Sequence, residues 1–420
     1  MNKKILKFIY QFLIEFANLL LPVLGIFSSK LKTFVSGRRN LFADLVSKVD
    51  SDDRIIWFHA ASLGEFEQAV PVINAIRDKF PTHKIAVSFF SASGFEVKKN
   101  DPNIDIVTYL PLDKKSYAEK FIKILNPEIA FFIKYEIWPN FLNELSKAEI
   151  KTYLISGLFR DNQLYFKPIG KFMRNALHQF EHLFVQNEIS FQLLKDSGFE
   201  NVSISGDTRF DRVTSQLKMN NTLPILEEFT AESELNVVFG SSWPEDETVY
   251  LNSLNKAKSG IKFIIAPHQI KAEKIQKLKS QISKNVICYS EIDNQDLKKI
   301  DVLIVDSIGL LTKIYSYANI AYVGGGMGTD GLHNILEPAA FGIPIIIGKN
   351  FDRFPEARSL QKLAGLYSVS DENEFEEIFH KMISHSNFRQ KTGEICGHFV
   401  NSQAGATQII LNSIEFDDLK

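Results

Sequence analysis

The sequence contains little cysteine and carries almost no net charge. Its two cysteines, Cys288 and Cys396, lack the spacing of metal ligands and imply no disulfide framework, which is typical of a protein in a reducing compartment. The formal net charge of −2 is not that of a nucleic-acid-binding protein, which is basic overall or along one face. Internal repeats and low-complexity tracts are also absent. The 420 residues suit two domains with an appendage, and nucleic acid is not an expected partner.

The N-terminal segment is long and apolar. Residues 5–27 are long enough to cross a membrane, and no small-x-small cleavage site follows them. The polar side chains in this segment recur at the spacing of one helical stripe: Lys7, Gln11, Glu15 and Asn18. We predict a membrane-anchor helix over residues 1–28, which either lies in the interface or spans the membrane with its stripe against a protein partner. The next basic residues either contact anionic headgroups or form a solvated linker: Lys30, Lys32, Arg38 and Arg39.

Beyond the anchor, apolar runs of strand length alternate with segments of helix length. This alternation predicts parallel α/β sheets, in which ligands bind beyond the carboxyl ends of the strands. We place one domain at residues 29–212 and a second at residues 213–395, with a polar linker stretch at residues 218–233. The last residues, 396–420, are predicted to form a helix that packs back toward the domain junction.

In the first domain, three charged side chains follow predicted strands. Glu65 ends a Ser-x-x-Glu pattern, which fits a capping box and fits equally well a general base at a helix N-terminus. Glu136 is either a functional acid or a solvated loop residue. Arg209 either binds a phosphate or carboxylate, or forms a salt bridge with a neighbouring aspartate. His59, inside an apolar strand, is predicted to be a hydrogen-bonded core residue.

The second domain contains a glycine-rich stretch, residues 322–348. It begins as a strand and enters a helix near His333 or Asn334, after glycines at positions 324, 325, 326, 328 and 331. A strand, a glycine-rich turn and a helix start are how parallel sheets present backbone N–H groups to an anion. Two further strand ends converge on this edge, at Pro267-His268 and at residues 308–310. Together they predict a nucleotide pocket.

Several motifs occur in a characteristic order. They are the N-terminal anchor, HAASLGE at 59–65, EIWPN at 136–140, GDTRFD at 206–211, APH at 266–268 and GLHNILEPA at 331–339. In this order they resemble the 3-deoxy-D-manno-octulosonic acid (Kdo) transferases of lipopolysaccharide biosynthesis, over nearly the whole chain. The resemblance implies the GT-B glycosyltransferase architecture, in which two Rossmann-like α/β domains face a cleft.

The resemblance also implies roles for individual positions. It makes Glu65 the catalytic base, and it makes Glu136 and Arg209 supports of the transition state. The implied contacts with CMP are Pro267, His268, Ile308, Gly309, Leu310, Asn334, Ile335, Leu336 and Glu337. The family often has Lys at the position of Arg209, Arg at that of His268 and an acid at that of Leu310.

The implied reaction is transfer of Kdo from CMP-Kdo to the 6′-hydroxyl of a lipid A precursor (lipid IVA), by inverting displacement at the cytoplasmic face of the inner membrane. We expect no cofactor and no metal, because CMP carries one phosphate and no Asp-x-Asp motif follows a strand. Three alternatives stay open: a membrane-associated GT-B enzyme that uses a UDP-sugar, a sugar-nucleotide epimerase of the same architecture, and a non-catalytic lipid-binding protein.

Overall fold

The chain forms two compact units. The computed structural model describes residues 3–167, 170–416 and 419. The first unit comprises Met1–Arg212 together with Ala404–Lys420, and the second comprises Val213–Gln403. Each unit is built on one parallel sheet with helices between the strands, so the predicted α/β fold class is confirmed.

The first unit has a seven-stranded sheet in the order β3-β2-β1-β4-β5-β6-β7. The strands are β1 (Ile55–Ala60), β2 (Lys84–Phe89), β3 (Ile106–Tyr109), β4 (Pro127–Ile133), β5 (Lys151–Gly157), β6 (His182–Val185) and β7 (Val202–Ile204). The helices are α1 (Lys3–Phe27), α2 (Ser29–Arg38), α3 (Leu41–Val46), α4 (Leu63–Lys79), α5 (Ala92–Lys98), α6 (Lys115–Leu125), α7 (Pro139–Lys147), α8 (Lys171–Leu177), α9 (Glu188–Asp196), α10 (Thr208–Gln216), which leads into the second unit, and α19 (Ala406–Asn412).

The middle strands of this sheet are apolar throughout, because helices cover both faces of a parallel sheet. All six residues of β1 are buried. Phe58 of β1 stacks on Phe131 of β4, with the ring centroids 4.8 Å apart. Strand β1 pairs in parallel with β4, so the segments that follow these two strands emerge next to each other at the carboxyl edge of the sheet.

The second unit repeats the design with the order β10-β11-β9-β8-β12-β13-β14. Its strands are β8 (Leu235–Ser242), β9 (Ile261–Pro267), β10 (Val286–Cys288), β11 (Val302–Ile304), β12 (Ile320–Val323), β13 (Ile345–Gly348) and β14 (Leu366–Val369). Its helices are α11 (Pro224–Thr230), α12 (Pro244–Lys256), α13 (Ala272–Gln281), α14 (Leu311–Ile314), α15 (Leu336–Ala340), α16 (Pro355–Lys362), α17 (Glu372–Ser384) and α18 (Ser386–Gln403).

Several local expectations differ from the structure of the second unit. The predicted linker at residues 218–233 contains α11, whose Leu226 and Phe229 lie three residues apart on one helical face and are buried in the core. Helix α15 begins at Leu336, not at His333 or Asn334. The expected boundary between residues 395 and 396 falls inside α18.

Helix α1 presents apolar side chains to the outside. Its segment Ile5–Phe27 has a mean hydropathy of 1.7 and is long and apolar enough to cross a membrane. The exposed large apolar side chains of this helix are Ile5, Phe8, Ile9, Phe12, Leu13, Phe16, Leu19, Val23, Leu24, Ile26 and Phe27. Exposed apolar surface of this extent is typical of a segment that contacts a membrane or another protein.

Arg38, one of the basic residues after α1, is not placed to meet headgroups. Its Nη2 donates to the carbonyl of Phe90 at 2.6 Å and its Nε to the carbonyl of Leu110 at 2.8 Å. The guanidinium also lies 3.7 Å from the ring centroid of Phe34. Burial lowers the pKa of Arg38 to about 9. Arg38 therefore connects α2 to the residues that directly follow β2 and β3. The other three basic residues, Lys30, Lys32 and Arg39, are exposed.

The C-terminal segment rejoins the first unit through α19. The carboxylate of Asp211 accepts hydrogen bonds from the backbone N–H groups of Gly405 and Thr407, at 2.5 and 2.7 Å. These N–H groups lie at the start of α19 and have no partner inside the helix, so Asp211 caps it. Ile410 of α19 is buried in the core of the first unit.

Candidate active site

The carboxyl edge of the first sheet brings two of the predicted acids together. Glu65 lies in the first turn of α4, directly after β1, and Glu136 lies in the segment between β4 and α7. Because β1 and β4 are neighbours in the sheet, the two carboxylates are close enough for the charge of Glu136 to raise the pKa of Glu65. The sequence placed both acids at the carboxyl ends of strands, and the pairing of β1 with β4 brings them together.

Glu65 caps its helix and is also part of a charged cluster. Its Oε2 accepts a hydrogen bond from the backbone N–H of Ser62 at 3.0 Å, as the capping interpretation predicted. Burial is the main reason that its pKa is raised, followed by Glu136; Lys134 and His59 act in the opposite direction. The residue is 6% exposed. A Cβ atom placed at the preceding residue, Gly64, would meet nothing within 4 Å, so there is open space at Gly64 itself.

Glu136 accepts a hydrogen bond from Trp138, and a buried histidine lies close to the same carboxylate oxygen. The indole Nε1 of Trp138 donates to Glu136 Oε2 at 3.0 Å. The Nε2 atom of His59 lies 3.6 Å from the same oxygen. His59 is fully buried, and its Nδ1 lies 2.9 Å from the hydroxyl of Ser88 and 3.1 Å from the carbonyl of Ser88. His59 is thus the hydrogen-bonded core residue that the sequence predicted, but its second nitrogen is directed at a candidate catalytic acid.

Lys134 adds a cation to this edge that was not among the predicted site residues. It is the first residue after β4 and has a φ of +64°, in the left-handed region that non-glycine residues occupy at a cost of roughly 1–2 kcal/mol. Its backbone N–H continues the ladder by donating to the carbonyl of Ile155 at 2.9 Å. Its position at the carboxyl end of a strand was the signal available in the sequence.

Arg209 lies at the start of α10, where it is paired with an aspartate. Its Nε and Nη2 both lie 2.8 Å from Asp207 Oδ2, and its backbone N–H donates to Asp207 Oδ1 at 2.9 Å. The salt bridge that was considered as the alternative for Arg209 is therefore present. The second candidate partner, Asp211, is used to cap α19.

In the second unit, a buried aspartate organises the glycine-rich loop after β12. Asp246, in the first turn of α12, accepts hydrogen bonds from the N–H of Gly325 at 2.8 Å, the hydroxyl of Tyr322 at 2.9 Å and the N–H of Met327 at 3.3 Å. Asp246 also accepts a hydrogen bond from the backbone N–H of Trp243, at 2.9 Å. Gly325 adopts a φ of +89°, which favours glycine.

This arrangement revises the expectation that the glycine loop presents its N–H groups to an anion. The N–H groups of Gly325 and Met327 already donate to Asp246, and that of Gly324 donates to the carbonyl of Gly240 at 2.9 Å. A Cβ atom at Gly324 would lie 2.3 Å from the carbonyl oxygen of Ser241, so glycine is needed there for close packing against β8. Gly324 and Gly325 therefore shape the loop and do not offer their N–H groups to an anion.

Three rings meet beside this loop, at the ends of β8 and β9. The indole of Trp243 stacks on His268 with centroids 4.4 Å apart, and His268 lies 4.5 Å from His333. Trp243 Nε1 donates to His333 Nε2 at 3.1 Å. Of these residues, only His268 was a predicted contact with CMP. Trp243 was overlooked, although it immediately follows a strand, as the predicted contacts do.

The other predicted CMP contacts form two linked segments. Thr312 of α14 donates to Glu337 Oε2 at 3.1 Å, and Asn334 Nδ2 donates to Glu337 Oε1 at 3.2 Å. The Asn334 side-chain oxygen also accepts from the N–H of Leu336 at 3.1 Å. Just before α14, Ile308 is 87% exposed and Gly309 has a φ of +91°. The remaining predicted contacts have these positions: Pro267 ends β9, Leu310 precedes α14 and packs on the core, and Ile335 is buried before α15.

His333 is expected to make stability depend on acid pH. Burial, followed by the proximity of His268, lowers the pKa of His333 from 6.5 to about 4. Unfolded chains therefore bind a proton that the folded state excludes, and stability present above pH 6.5 is lost as the pH falls toward 4. We expect His333→Asn to flatten the decline of the melting temperature over this window. An unchanged slope, equal to that of the exposed-site control His385→Asn, would contradict the assignment.

The part of the chain that the structure describes contains no group of three or more His, Cys, Asp or Glu side chains that could hold a metal ion.

The family model and several relatives of this chain carry the same description. A family model described as 3-deoxy-D-manno-octulosonic-acid transferase (kdotransferase) matches residues 36–212. A 3-deoxy-D-manno-octulosonic acid transferase of Haemophilus influenzae is 24% identical over 373 residues, which cover 86% of each chain. A bifunctional glycosyltransferase/methyltransferase of Fusobacterium nucleatum is 26% identical over 334 residues, 76% of this chain. The match spans only 50% of that longer relative.

Solved structures share the two-unit architecture. A UDP-GlcNAc 2-epimerase from Neisseria meningitidis, determined with bound UDP-GlcNAc, superimposes with a TM-score of 0.60 at 16% identity. The superposition covers 86% of this chain and 98% of the epimerase. This likeness concerns the fold alone. The family model and the relatives together support a Kdo transferase, and the fold resembles that of GT-B glycosyltransferases.

Proposed function

We propose that this protein transfers Kdo from CMP-Kdo to the 6′-hydroxyl of a lipid A precursor (lipid IVA) in lipopolysaccharide biosynthesis. The observation that carries the proposal is the pair of acids, Glu65 and Glu136, at the carboxyl edge of the first sheet. This pair lies within the residues that match the family model. A buried acid whose pKa is raised by burial and by a second acid is a common feature of catalytic sites.

In the proposed mechanism Glu65 is the general base. Its carboxylate takes the proton of the acceptor hydroxyl while the hydroxyl oxygen forms a bond with the anomeric carbon of Kdo. The bond from that carbon to the phosphate oxygen breaks, and CMP leaves with the electron pair, which inverts the anomeric centre. A raised pKa makes Glu65 a stronger base, and the neighbouring Lys134 favours its ionised form.

Glu136 and Arg209 act on the charge that develops during transfer. The transition state is expected to resemble an oxocarbenium ion, so positive charge grows on the sugar and negative charge on CMP. A carboxylate such as Glu136 stabilises the positive charge on the sugar. A guanidinium such as Arg209 stabilises the negative charge on CMP. The hydrogen bond from Trp138 orients the carboxylate of Glu136.

The second unit supplies the proposed contacts with CMP. His268 lies in the stack with Trp243 and His333, which offers flat ring faces at the strand ends. Asn334 and Glu337 are oriented by hydrogen bonds to each other and to Thr312, and their oxygens suit ribose hydroxyl groups. Ile308, Gly309 and Leu310 can contribute backbone groups, because the segment is exposed and has no charged side chain.

Transfer can be tested directly with purified protein, CMP-Kdo and tetra-acylated lipid A precursor, followed by mass spectrometry. The expected product is the acceptor with added Kdo. Absence of both transfer and donor hydrolysis would contradict the proposed activity and favour the non-catalytic lipid-binding alternative.

A nucleotide comparison separates the enzymatic alternatives. A UDP-GlcNAc 2-epimerase has the same fold, so a uridine nucleotide is the second candidate ligand. We expect CMP to raise the melting temperature more than UMP or UDP does. A larger shift with UDP would instead support a UDP-sugar transferase or an epimerase.

We further propose that the protein binds the cytoplasmic face of the inner membrane through α1, with this helix lying in the interface. The polar side of α1 contacts the first unit through Tyr10, Gln11 and Glu15. If α1 crossed the bilayer, the partners of these residues would have to enter the hydrocarbon core with it, where unpaired polar groups are costly. An interfacial helix avoids this, because its apolar face alone enters the membrane.

A charge on the exposed face of α1 is expected to weaken membrane binding. Leu19 is exposed on that face, and burying a leucine side chain contributes about 1.5–3 kcal/mol. We expect Leu19→Glu to reduce partitioning onto anionic vesicles by roughly tenfold or more, measured by flotation. Ile189→Glu, at an exposed apolar residue of α9, is the matched control. Equal vesicle binding by the two variants would contradict the proposal.

A further inference from the structure

The polar side of α1 contacts a part of the first unit that organises the candidate active site. The hydroxyl of Tyr10 donates to Asp113 Oδ2 at 2.6 Å, and Gln11 Nε2 donates to Asn140 Oδ1 at 3.1 Å. Asp113 is 0% exposed, and Asn140 belongs to the same motif as Glu136. The Tyr10 ring also packs on Phe172, with centroids 5.3 Å apart.

Asp113 provides the cap that α7 does not supply for itself. The residue before α7, Trp138, makes no side-chain cap. Asp113 Oδ2 instead accepts from the N–H of Asn140 at 3.0 Å, and Oδ1 accepts from the N–H of Phe141 at 3.1 Å. The Asn140 side chain donates back to the Asp113 carbonyl. A carboxylate at a helix start satisfies otherwise unpaired N–H groups and favours the helix dipole.

The same helix start holds Glu136. Trp138, the last residue before α7, donates its indole N–H to Glu136 Oε2 at 3.0 Å. A continuous series of contacts therefore leads from Tyr10 through Asp113 to the start of α7, and from Trp138 to Glu136. Every contact in this series lies within the first unit.

We propose that α1 is part of the active-site scaffold as well as the membrane anchor, with Tyr10 and Gln11 as positioning residues for Glu136. One face of the helix enters the membrane and the opposite face holds the start of α7. Because it concerns Glu136 as a supporting acid, the proposal rests on the proposed function. The proposal adds a second role for α1: the helix is needed for turnover even in detergent micelles, where the protein does not have to bind a membrane.

The ion pair further along α1 does not carry this proposal. Glu15 Oε2 lies 2.9 Å from Lys114 Nζ, but half of the Glu15 side chain is exposed. Exposed pairs of this kind contribute little to stability. The part-buried hydrogen bonds of Tyr10 and Gln11 are the ones expected to matter.

Protonation of Asp113 should make kcat depend on pH. A role of α1 in packing alone would not change that pH dependence. Burial raises the pKa of Asp113 to about 6, and hydrogen bonds from Tyr10 and from the N–H groups of Asn140 and Phe141 act against this rise. The charged or titratable groups nearby are Tyr10 on α1, with Tyr165 beside it, and the Lys114–Glu15 pair. Loss of the Tyr10 hydroxyl should raise the pKa of Asp113 further, and a protonated carboxyl is a poorer cap for α7.

The test compares Tyr10→Phe with wild type, using the full chain in detergent micelles. We expect a roughly tenfold lower kcat with an unchanged KM for CMP-Kdo, and an acid limb of the kcat profile that moves to higher pH. Vesicle flotation should be unchanged, because the apolar face of α1 is intact. The matched control is Tyr367→Phe, which removes a hydroxyl from a tyrosine that packs on Phe388 in the second unit.

Amide hydrogen exchange tests the same proposal without relying on activity. The N–H groups of Asn140 and Phe141 should exchange about tenfold faster in Tyr10→Phe than in wild type or in the control variant. Unchanged exchange, or a kcat and acid limb equal to those of Tyr367→Phe, would overturn the proposal. If wild-type protein transfers no Kdo, the proposed function fails, while faster exchange would still support the scaffold role of α1.

Discussion

Replacing Glu65 by Gln is expected to lower kcat by roughly 10²- to 10⁴-fold while the fold and CMP binding persist. The amide oxygen of Gln can still accept the hydrogen bond that Glu65 Oε2 receives from the N–H of Ser62, so the cap of α4 is retained. The amide cannot accept the proton of the acceptor hydroxyl. The substitution therefore separates the capping role that the structure shows from the catalytic role that we propose.

The measurement combines single-turnover transfer with a melting curve. Glu67→Gln is the matched control, because Glu67 lies on the same helix and pairs with Arg212 on the surface at 3.0 Å. The acid limb of the wild-type pH profile should lie above the ordinary range of a glutamate, since burial and Glu136 raise the pKa of Glu65. A near-normal rate in Glu65→Gln, accompanied by a lower melting temperature, would show that capping is its only role.

Replacing Asp246 by Ala is expected to have the largest effect on stability. Four hydrogen-bond donors converge on this buried carboxylate: the N–H groups of Trp243, Gly325 and Met327 and the hydroxyl of Tyr322. Alanine would leave these donors unpaired and the glycine loop without its attachment to α12. Breaking a buried charged network of this kind destabilises a protein by roughly 3–5 kcal/mol.

Urea unfolding and calorimetric titration with CMP measure the two consequences of Asp246→Ala. We expect loss of CMP binding as well as lower stability, because the loop leads directly to His333 and Asn334. Glu273→Ala is the matched control: Glu273 is also an acid in the first turn of a helix, but it is exposed. A stability change no larger than that of the control would refute the organising role of Asp246.

Much of the fold and part of the candidate site followed from local patterns. Buried parallel strands are apolar along their length, so β1, β4, β9 and β12 are recognisable in the sequence, and the polar residues after them are natural candidates for a site. Glu65, Glu136 and His268 were proposed as candidates in this way. Helix ends were less well predicted, because α15 begins only where Asn334 can receive the N–H of Leu336.

The residues that were overlooked depend on partners far away in the chain. From the sequence alone, Asp246 would be interpreted as one of three acids that favour the dipole of α12. Its hydrogen-bond partner Gly325 lies 79 residues further along the chain. From the sequence alone Arg38 would be interpreted as a surface cation, although it is half-buried and donates to the carbonyl groups of Phe90 and Leu110. His59 was predicted as a core residue, and only the pairing of β1 with β4 places its Nε2 beside Glu136.

The sequence by itself determined the α/β class, the apolar N-terminal helix and the order of the family motifs, because these are carried by periodicity and by neighbouring residues. Only the tertiary structure decided that the stripe of α1 meets the first unit, that Asp113 caps α7 and that the glycine loop binds Asp246. The contact between Tyr10 and Asp113 joins residues 103 positions apart. Hydrogen bonds over such separations depend on how the elements pack, and local sequence patterns carry no information about that packing.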